Sequence, residues 1–210
     1  MKLADRMSAF NRERKWKYFK NNLRFNNITK ILDVGFNNNE YSVVDNYLEK
    51  NYPFPQNITA LGINGKDNFQ IKYPLVKALL YDGKKFPFDD NSFDICWSNA
   101  VIEHVGDFNA QLFFINEMKR VSKNVFFSTP NKNFPIELHT RTPLLHLLPK
   151  SLFERYLKLI GKSWATGDYM NLLTKRNIIN LLHKANISEY KITGNKIFGF
   201  SIDFVILLKS

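Results

Sequence analysis

The sequence predicts an α/β protein, a doubly wound and mostly parallel sheet with helices on both faces and an antiparallel hairpin at its C-terminal end. Three observations predict it. Short apolar runs at 30–34, 58–63, 76–81, 93–97 and 124–128 alternate with stretches of helical period, the rhythm of a parallel sheet with crossover helices. Each run ends in polar residues: Asp33 and Gly35, Asn64, Asp82 and Gly83, Ser98 and Asn99, Thr129. In such folds ligands bind outside the carboxyl ends of the strands. Finally, 189–209 offers two strands about a turn at Gly194-Asn195, bringing the sheet to seven strands.

The first run, Lys30-Ile-Leu-Asp-Val34, is too short and too apolar for an amphipathic helix and reads as a central strand covered on both faces. Gly35 lets the backbone turn and come close to a ligand, and the asparagines at 37–39 tolerate left-handed backbone better than most residues. Residues 40–51 read as a helix with Val43, Val44, Tyr47 and Leu48 toward the sheet, ended by Pro53 and Pro55. Asn64-Gly65 closes the second strand where an acid often grips ribose hydroxyls, although Asn-Gly is also a tight-turn dipeptide. A short helix is expected at 67–73, a loop at 87–92, and helices at 111–121 and 171–185. Residues 131–166 break the rhythm with Pro135, Pro143 and Pro149 and hold a helix near 152–160. They read as an insertion, with 134–160 a lid over the ligand cleft. Leu144, Leu145, Leu147, Leu148, Leu152, Phe153 and Leu157 supply inward packing or an acceptor wall, and Lys150, Arg155 and Lys158 can meet an acidic head group or an anionic membrane surface. An ordinary buried helical hairpin is the competing reading.

At 210 residues, 44% hydrophobic, the chain can bury one sizeable core, so a single domain is expected, with a helical extension over 1–27. The net charge of +11 invites nucleic acid or an anionic membrane as partner. The lysines are scattered among 25 asparagines, however, and the stripe of basic residues that marks a nucleic-acid surface is missing. Leu3, Met7, Phe10, Trp16, Phe19 and Leu23 give the extension an apolar face, and packing on its own domain is favoured over lipid binding. The single cysteine, Cys96, offers neither a disulfide framework nor a cysteine-rich metal site. No stretch reads as a secretion signal or a membrane span. A cytoplasmic protein is expected, with peripheral contact to the inner face of the membrane as a secondary expectation.

Ile31-Leu-Asp-Val-Gly35, Asp82-Gly-Lys-Lys-Phe-Pro-Phe-Asp-Asp-Asn-Ser-Phe-Asp-Ile95 and Ser98-Asn-Ala-Val-Ile-Glu-His-Val105 resemble the class I S-adenosylmethionine-dependent methyltransferases, the small-molecule branch in particular. The resemblance spans roughly 28–130 and implies a Rossmann-like sheet of order 3-2-1-4-5-7-6. It also implies S-adenosylmethionine as cofactor. The backbone near Gly35 and Asn37 would meet its methionyl part, Asn64 the ribose, Asp82 and Gly83 the adenine, and Ser98 and Asn99 the sulfonium side, with Asp33 a further cofactor-binding residue. The segment from Thr129-Pro-Asn131 to Thr140 is similar to a subset placed near sugar or lipid-linked biosynthesis. Two departures stand out: the glycine-rich turn is here Gly35-Phe-Asn-Asn-Asn39, and the ribose acid is Asn64. An amide forgoes a charge-assisted bond of about twice the strength.

Methyl transfer from a sulfonium is an in-line displacement that needs positioning, exclusion of water and, for a hydroxyl acceptor, removal of a proton. His104, just after the fourth strand, and His139, in the insertion, are the candidate bases; a capping His104 and a surface His139 are the alternatives. Glu103 orients His104 or is solvated, while His146 and His183 read as structural. Three functions follow: a methyltransferase for a small, sugar or lipid-linked acceptor, an inactive cofactor-binding relative, or a membrane-peripheral partner-binding module.

Overall fold

The computed structural model describes residues 3–137, 139–167, 170–197 and 199–209. Helix α1 (Leu3–Asn22) leads into β1 (Ile31–Val34), α2 (Tyr47–Asn51), β2 (Ile58–Gly62), α3 (Asp67–Lys72), β3 (Lys77–Leu80) and β4 (Phe93–Asn99). Then follow α4 (Phe108–Val121), β5 (Ser122–Pro130), β6 (Ile136–Glu137), β7 (Thr142–Pro143), α5 (Lys150–Leu159), α6 (Lys175–Lys184), β8 (Tyr190–Ile197) and β9 (Phe200–Lys209). The large sheet has seven strands in the order β3-β2-β1-β4-β5-β9-β8, and β6 pairs with β7 in a small sheet of its own. Numbered along the chain, the strands of the large sheet follow the expected order 3-2-1-4-5-7-6. Strand β1 is parallel to both neighbours, with Val34 opposite Leu61 on one side and Ser98 on the other. Strands β8 and β9 are neighbours separated by two residues, too few for a parallel crossover, so they form the antiparallel hairpin.

The chain forms two compact units, one of residues 1–99, 117–127 and 207–210, the other of 100–116 and 128–206. In the first unit β1 is buried at every position, as its continuous apolar run requires. The N-terminal extension packs on this unit: Phe19 meets Trp97 edge-on at 5.1 Å between centroids, and Trp97 stacks on Phe126 at 4.6 Å. Trp16, Phe19 and Leu23 are buried, whereas Phe10 is exposed; the side chain of Leu3 lies outside the described residues. In the second unit, Phe153 and Leu157 of α5 pack with Ala165, while Leu144, Leu147, Leu148 and Leu152 are exposed. The Thr174 hydroxyl caps α6 by accepting from the Asn177 N–H, and the Asn177 amide accepts in return from the Thr174 N–H.

Two expectations are corrected. The helix expected over 40–51 forms only from Tyr47, because Asn46 takes left-handed backbone at φ 48° and its side chain is committed elsewhere. Val43, expected to face the sheet, is exposed. The C-terminal turn is not at Gly194-Asn195, which lie inside β8. Gly194 is there because a Cβ would stand 2.4 Å from Ser201 Oγ, and the buried Asn195 amide donates to Asp203 Oδ1 at 2.8 Å.

Candidate active site

The chain turns out of β1 at Gly35, whose φ of 101° suits glycine. The residues that replace a glycine-rich turn each have a structural task. Phe36 turns inward against Phe69 at 4.3 Å between centroids and fills the space where Gly62 lacks a side chain. Asn37 exchanges two hydrogen bonds with the Asn46 amide, its N–H donating to Oδ1 at 2.8 Å and its carbonyl accepting from Nδ2 at 2.9 Å. Asn38 Oδ1 accepts from the Phe69 N–H, and Asn39 Oδ1 accepts from Asn68 Nδ2. Glu40 closes the loop by accepting from Lys72, Tyr73 and Asn46 while pairing with Lys50 at 2.9 Å. Burial alone would raise its pKa, but the bonds from Lys72, Tyr73 and Lys50 outweigh it and hold the carboxyl down at about 2. The turn is thus built from side-chain amides and one ion pair cluster rather than from bare backbone.

Beside it the first unit holds a small cavity of about 50 Å³, lined among others by Arg12, Asp33, Gly35, Asn37, Glu49 and Asn99. Asp33 and Glu49 are both buried, and neither oxygen of Glu49 finds a hydrogen-bond donor. Burial and then the Glu49 charge push Asp33 well above the usual carboxylate range, and burial raises Glu49 as well. Two ionised carboxylates cannot bond to each other, so the pair favours retaining a proton or taking up a further cation, Arg12 being the smallest of the influences on Asp33. Asn99 accepts from Lys15 Nζ at 3.2 Å. Ser98 is buried, its hydroxyl donating to the Val34 carbonyl at 3.2 Å. Asn64, Asp82 and Gly83 are exposed beyond the ends of β2 and β3. The Asp82 carboxylate accepts the Lys84 N–H at 3.0 Å, and Gly83, at φ 79°, lies beside Ile63. The phenylalanine-rich stretch after Asp82 is held by Arg120, which donates to the Phe86 and Phe88 carbonyls and to Glu117.

The second unit brings the two candidate histidines together. His104 Nε2 and His139 Nε2 are 3.2 Å apart with their rings perpendicular. Glu103 is fully buried rather than solvated; its Oε2 accepts from the Thr129 hydroxyl at 3.0 Å. Its Oε1 makes no hydrogen bond but lies 4.0 Å from His104 Nε2 and 3.9 Å from His139 Nε2. Behind them Glu137, buried, meets His139 Nδ1 at 2.8 Å and accepts from Thr140. Burial opposes ionisation of Glu137, but the bonds from His139 and Thr140 win and bring it to about 2. Burial lowers His139, and the stronger opposing pull of Glu137 leaves it raised. The same unit has a cavity of about 270 Å³ lined by Lys132, Lys150, Leu148, Phe153, Met170 and Asn171 among others. Asn171 ties it to the histidine cluster, donating its N–H to the Glu103 carbonyl at 2.7 Å. His146 is structural, its Nε2 against the Lys132 carbonyl at 2.9 Å.

Of the residues the sequence singles out, the structure places Asp33, Gly35, Asn37 and Asn99 around one cavity and sets His104 against His139; Arg12, Glu49 and Glu137 were not among them. Glu49 was detectable as an acid adjoining the core position Leu48, and Glu137 as an acid two residues before His139.

A family described as "Methyltransferase domain" has a model that matches residues 32–125. No curated protein matches the sequence. Among solved structures, an S-adenosylmethionine-dependent methyltransferase from Mesorhizobium loti superposes with a TM-score of 0.61 at 12% identity, covering 93% of this chain and 97% of that one. A possible histamine N-methyltransferase from Thermotoga maritima gives 0.58 at 15% identity over 99% of this chain and 91% of that one. A methyltransferase from Methanosarcina mazei gives 0.52 at 16% identity over 88% and 94%. These similarities show the fold. With the strand order, they show that the chain has the fold of the class I S-adenosylmethionine-dependent methyltransferases, and the family model matches its first half from β1 into β5. Among the described residues no helix is long and apolar enough to cross a membrane.

The residues present fit this cofactor. Its ammonium and sulfonium are cations suited to the buried acids Asp33 and Glu49, of which Glu49 finds no hydrogen-bond donor, and its carboxylate suits Arg12, which lines the same cavity.

Proposed function

We propose that the protein transfers a methyl group from S-adenosylmethionine to a small anionic acceptor with an apolar part, of the sugar or lipid-linked class. The buried acid pair Asp33–Glu49 in the cavity beside Gly35 carries this reading, because the Glu49 carboxyl, whose oxygens find no hydrogen-bond donor, costs free energy that a cation recovers. When bound, the cofactor supplies an electrophilic methyl on sulfur. Asp33, Glu49 and Arg12 hold its amino-acid end, with Gly35 and Asn37 at the turn. Asp82 accepts from the adenine amino group beside Gly83 and Ile63, Asn64 faces the ribose, and Asn99 borders the sulfur. Ser98 keeps β1 and β4 in register beneath them rather than touching the cofactor.

The acceptor side is assigned to the second unit. Lys132 and Lys150 beside Leu148, Phe153 and Met170 suit a phosphate or carboxylate attached to an apolar group. The proton of an acceptor hydroxyl leaves toward the His104–His139 cluster. The exposed leucines before and within α5 extend the apolar wall, and with Lys150, Arg155 and Lys158 they give peripheral contact with an anionic membrane surface, each charge contributing about 1 kcal/mol there.

A second reading, a relative that binds the cofactor without turnover, draws on the Asn37 backbone being committed to Asn46. Incubation with methyl-labelled cofactor and cell extract, separated into lipid, small-molecule, protein and nucleic-acid fractions, decides between them. Label in the lipid or small-molecule fraction is expected. Label confined to protein or nucleic acid contradicts the acceptor class, and bound cofactor without transfer establishes the second reading.

A further inference from the structure

We propose that Glu103, His104 and His139 form a binding site for one divalent transition-metal ion of the zinc class, with Glu137 positioning His139 from behind. Glu103 Oε1, His104 Nε2 and His139 Nε2 converge with mutual separations of 3.2, 3.9 and 4.0 Å. A tetrahedral ion with bonds of about 2.0–2.1 Å needs ligand atoms roughly 3.3–3.4 Å apart. The nitrogens already stand near that spacing, and the carboxylate has a few tenths of an ångström to travel.

A proton shared between the two imidazoles would satisfy them but not Glu103. Its Oε1 sits on a fully buried residue with no hydrogen bond, a state that costs free energy unless a positive charge faces it. One cation among the three atoms satisfies all of them at once. The surroundings match a ligand set that is fixed in advance. Glu137 Oε1 takes the Nδ1 side of His139 at 2.8 Å, which leaves the Nε2 lone pair toward the cluster, the carboxylate–histidine arrangement that orients metal-binding imidazoles. The Thr129 hydroxyl holds the other oxygen of Glu103. The side chains of His104 and His139 are 26% and 20% exposed, so an ion can enter and a fourth position stays open to water or an acceptor oxygen.

Two nitrogens and one oxygen favour zinc-like ions over magnesium or calcium. Coordination uses both Nε2 lone pairs, so in the metal-loaded protein activation of an acceptor hydroxyl passes from imidazole base to Lewis acid. The inference rests on the cluster alone and stands whether or not the methyltransferase reading of the acceptor side is right.

The test is calorimetric titration of the chelator-stripped full chain with Zn²⁺, then with Co²⁺ followed by visible absorption, in the absence of cofactor and acceptor. One ion per chain is expected, with the intense Co²⁺ bands of a low-coordinate site. His139→Gln and Glu103→Gln should each weaken Zn²⁺ at least 100-fold. Glu137→Gln should weaken it about 10–100-fold, keep one ion per chain and shift the Co²⁺ bands. His183→Gln, at an exposed histidine outside the cluster, should change nothing. Should Glu103→Gln fail to fold, His104→Gln takes its place. Absence of stoichiometric Zn²⁺ binding to the parent, tighter binding of Mg²⁺ than of Zn²⁺, or an unchanged affinity in His139→Gln would overturn the proposal. Because neither cofactor nor acceptor is present, failure here is separate from failure of methyl transfer.

Discussion

At the residue scale, the acid pair Asp33–Glu49 makes a prediction whose sign follows from burial. Both carboxyls are raised in the folded chain, so the folded form holds a proton that the unfolded form has released. Stability is then complete below the unfolded values, about 4, and declines as pH rises through the raised folded values. Glu49→Gln removes one charge while keeping the shape. As pH rises from about 4, the urea midpoint of the parent should fall more than that of the variant, and equal falls would contradict the pairing. The same pair predicts that cofactor affinity rises with pH, since a cation displaces the retained proton. Asp82 makes a simpler prediction. It is exposed and its carboxylate already receives the Lys84 N–H, so Asp82→Ala should leave the fold intact and weaken cofactor binding by about 1–3 kcal/mol. Unchanged calorimetric affinity would remove Asp82 from the site.

At the scale of elements, the turn after β1 shows what a sequence can and cannot disclose. Its position was legible from the apolar run ending at Gly35, because a buried central strand leaves a distinctive pattern. The partners of its asparagines were not legible, because they come from residues such as Asn46, Asn68 and Phe69 that only the fold brings near. The short α2 follows from the same cause, since local periodicity could not reveal that Asn46 would be taken out of helix to hold Asn37. Asn46→Ala should therefore loosen the turn and lower cofactor affinity more than it lowers the melting temperature; a loss of stability alone would make Asn46 purely structural. Gly194 was read as a turn because glycine and asparagine adjoin there, whereas its need is cross-strand. Gly194→Ala should cost about 1–3 kcal/mol of stability by crowding Ser201, measured by denaturant midpoint, and an innocuous substitution would contradict the close approach. Glu137 and His139 show the converse limit: they lie two residues apart in sequence, yet the role of Glu137 depends on burial, which composition does not report.

At the scale of the whole molecule, the strand order could be anticipated because the family resemblance implies it, and the five alternating units and terminal hairpin agree with the crossover rules. The division of labour was less visible. The residues proposed to hold the cofactor fall in the unit of residues 1–99, 117–127 and 207–210, and the histidine cluster falls in the other. Each unit gathers segments distant in sequence, so neither could be drawn as a continuous stretch. The net charge of +11 makes weak attraction to any polyanion expected, so specific binding must be measured at physiological salt, where such attraction is screened. The most direct measurement of the central claim is equilibrium binding of labelled S-adenosylmethionine to the full chain at that salt, with the Asp33→Asn and Arg12→Gln variants alongside. The account predicts saturable binding of one cofactor per chain, weakened at least tenfold in each variant. Absence of saturable binding by the parent, or binding indifferent to both substitutions, would contradict it.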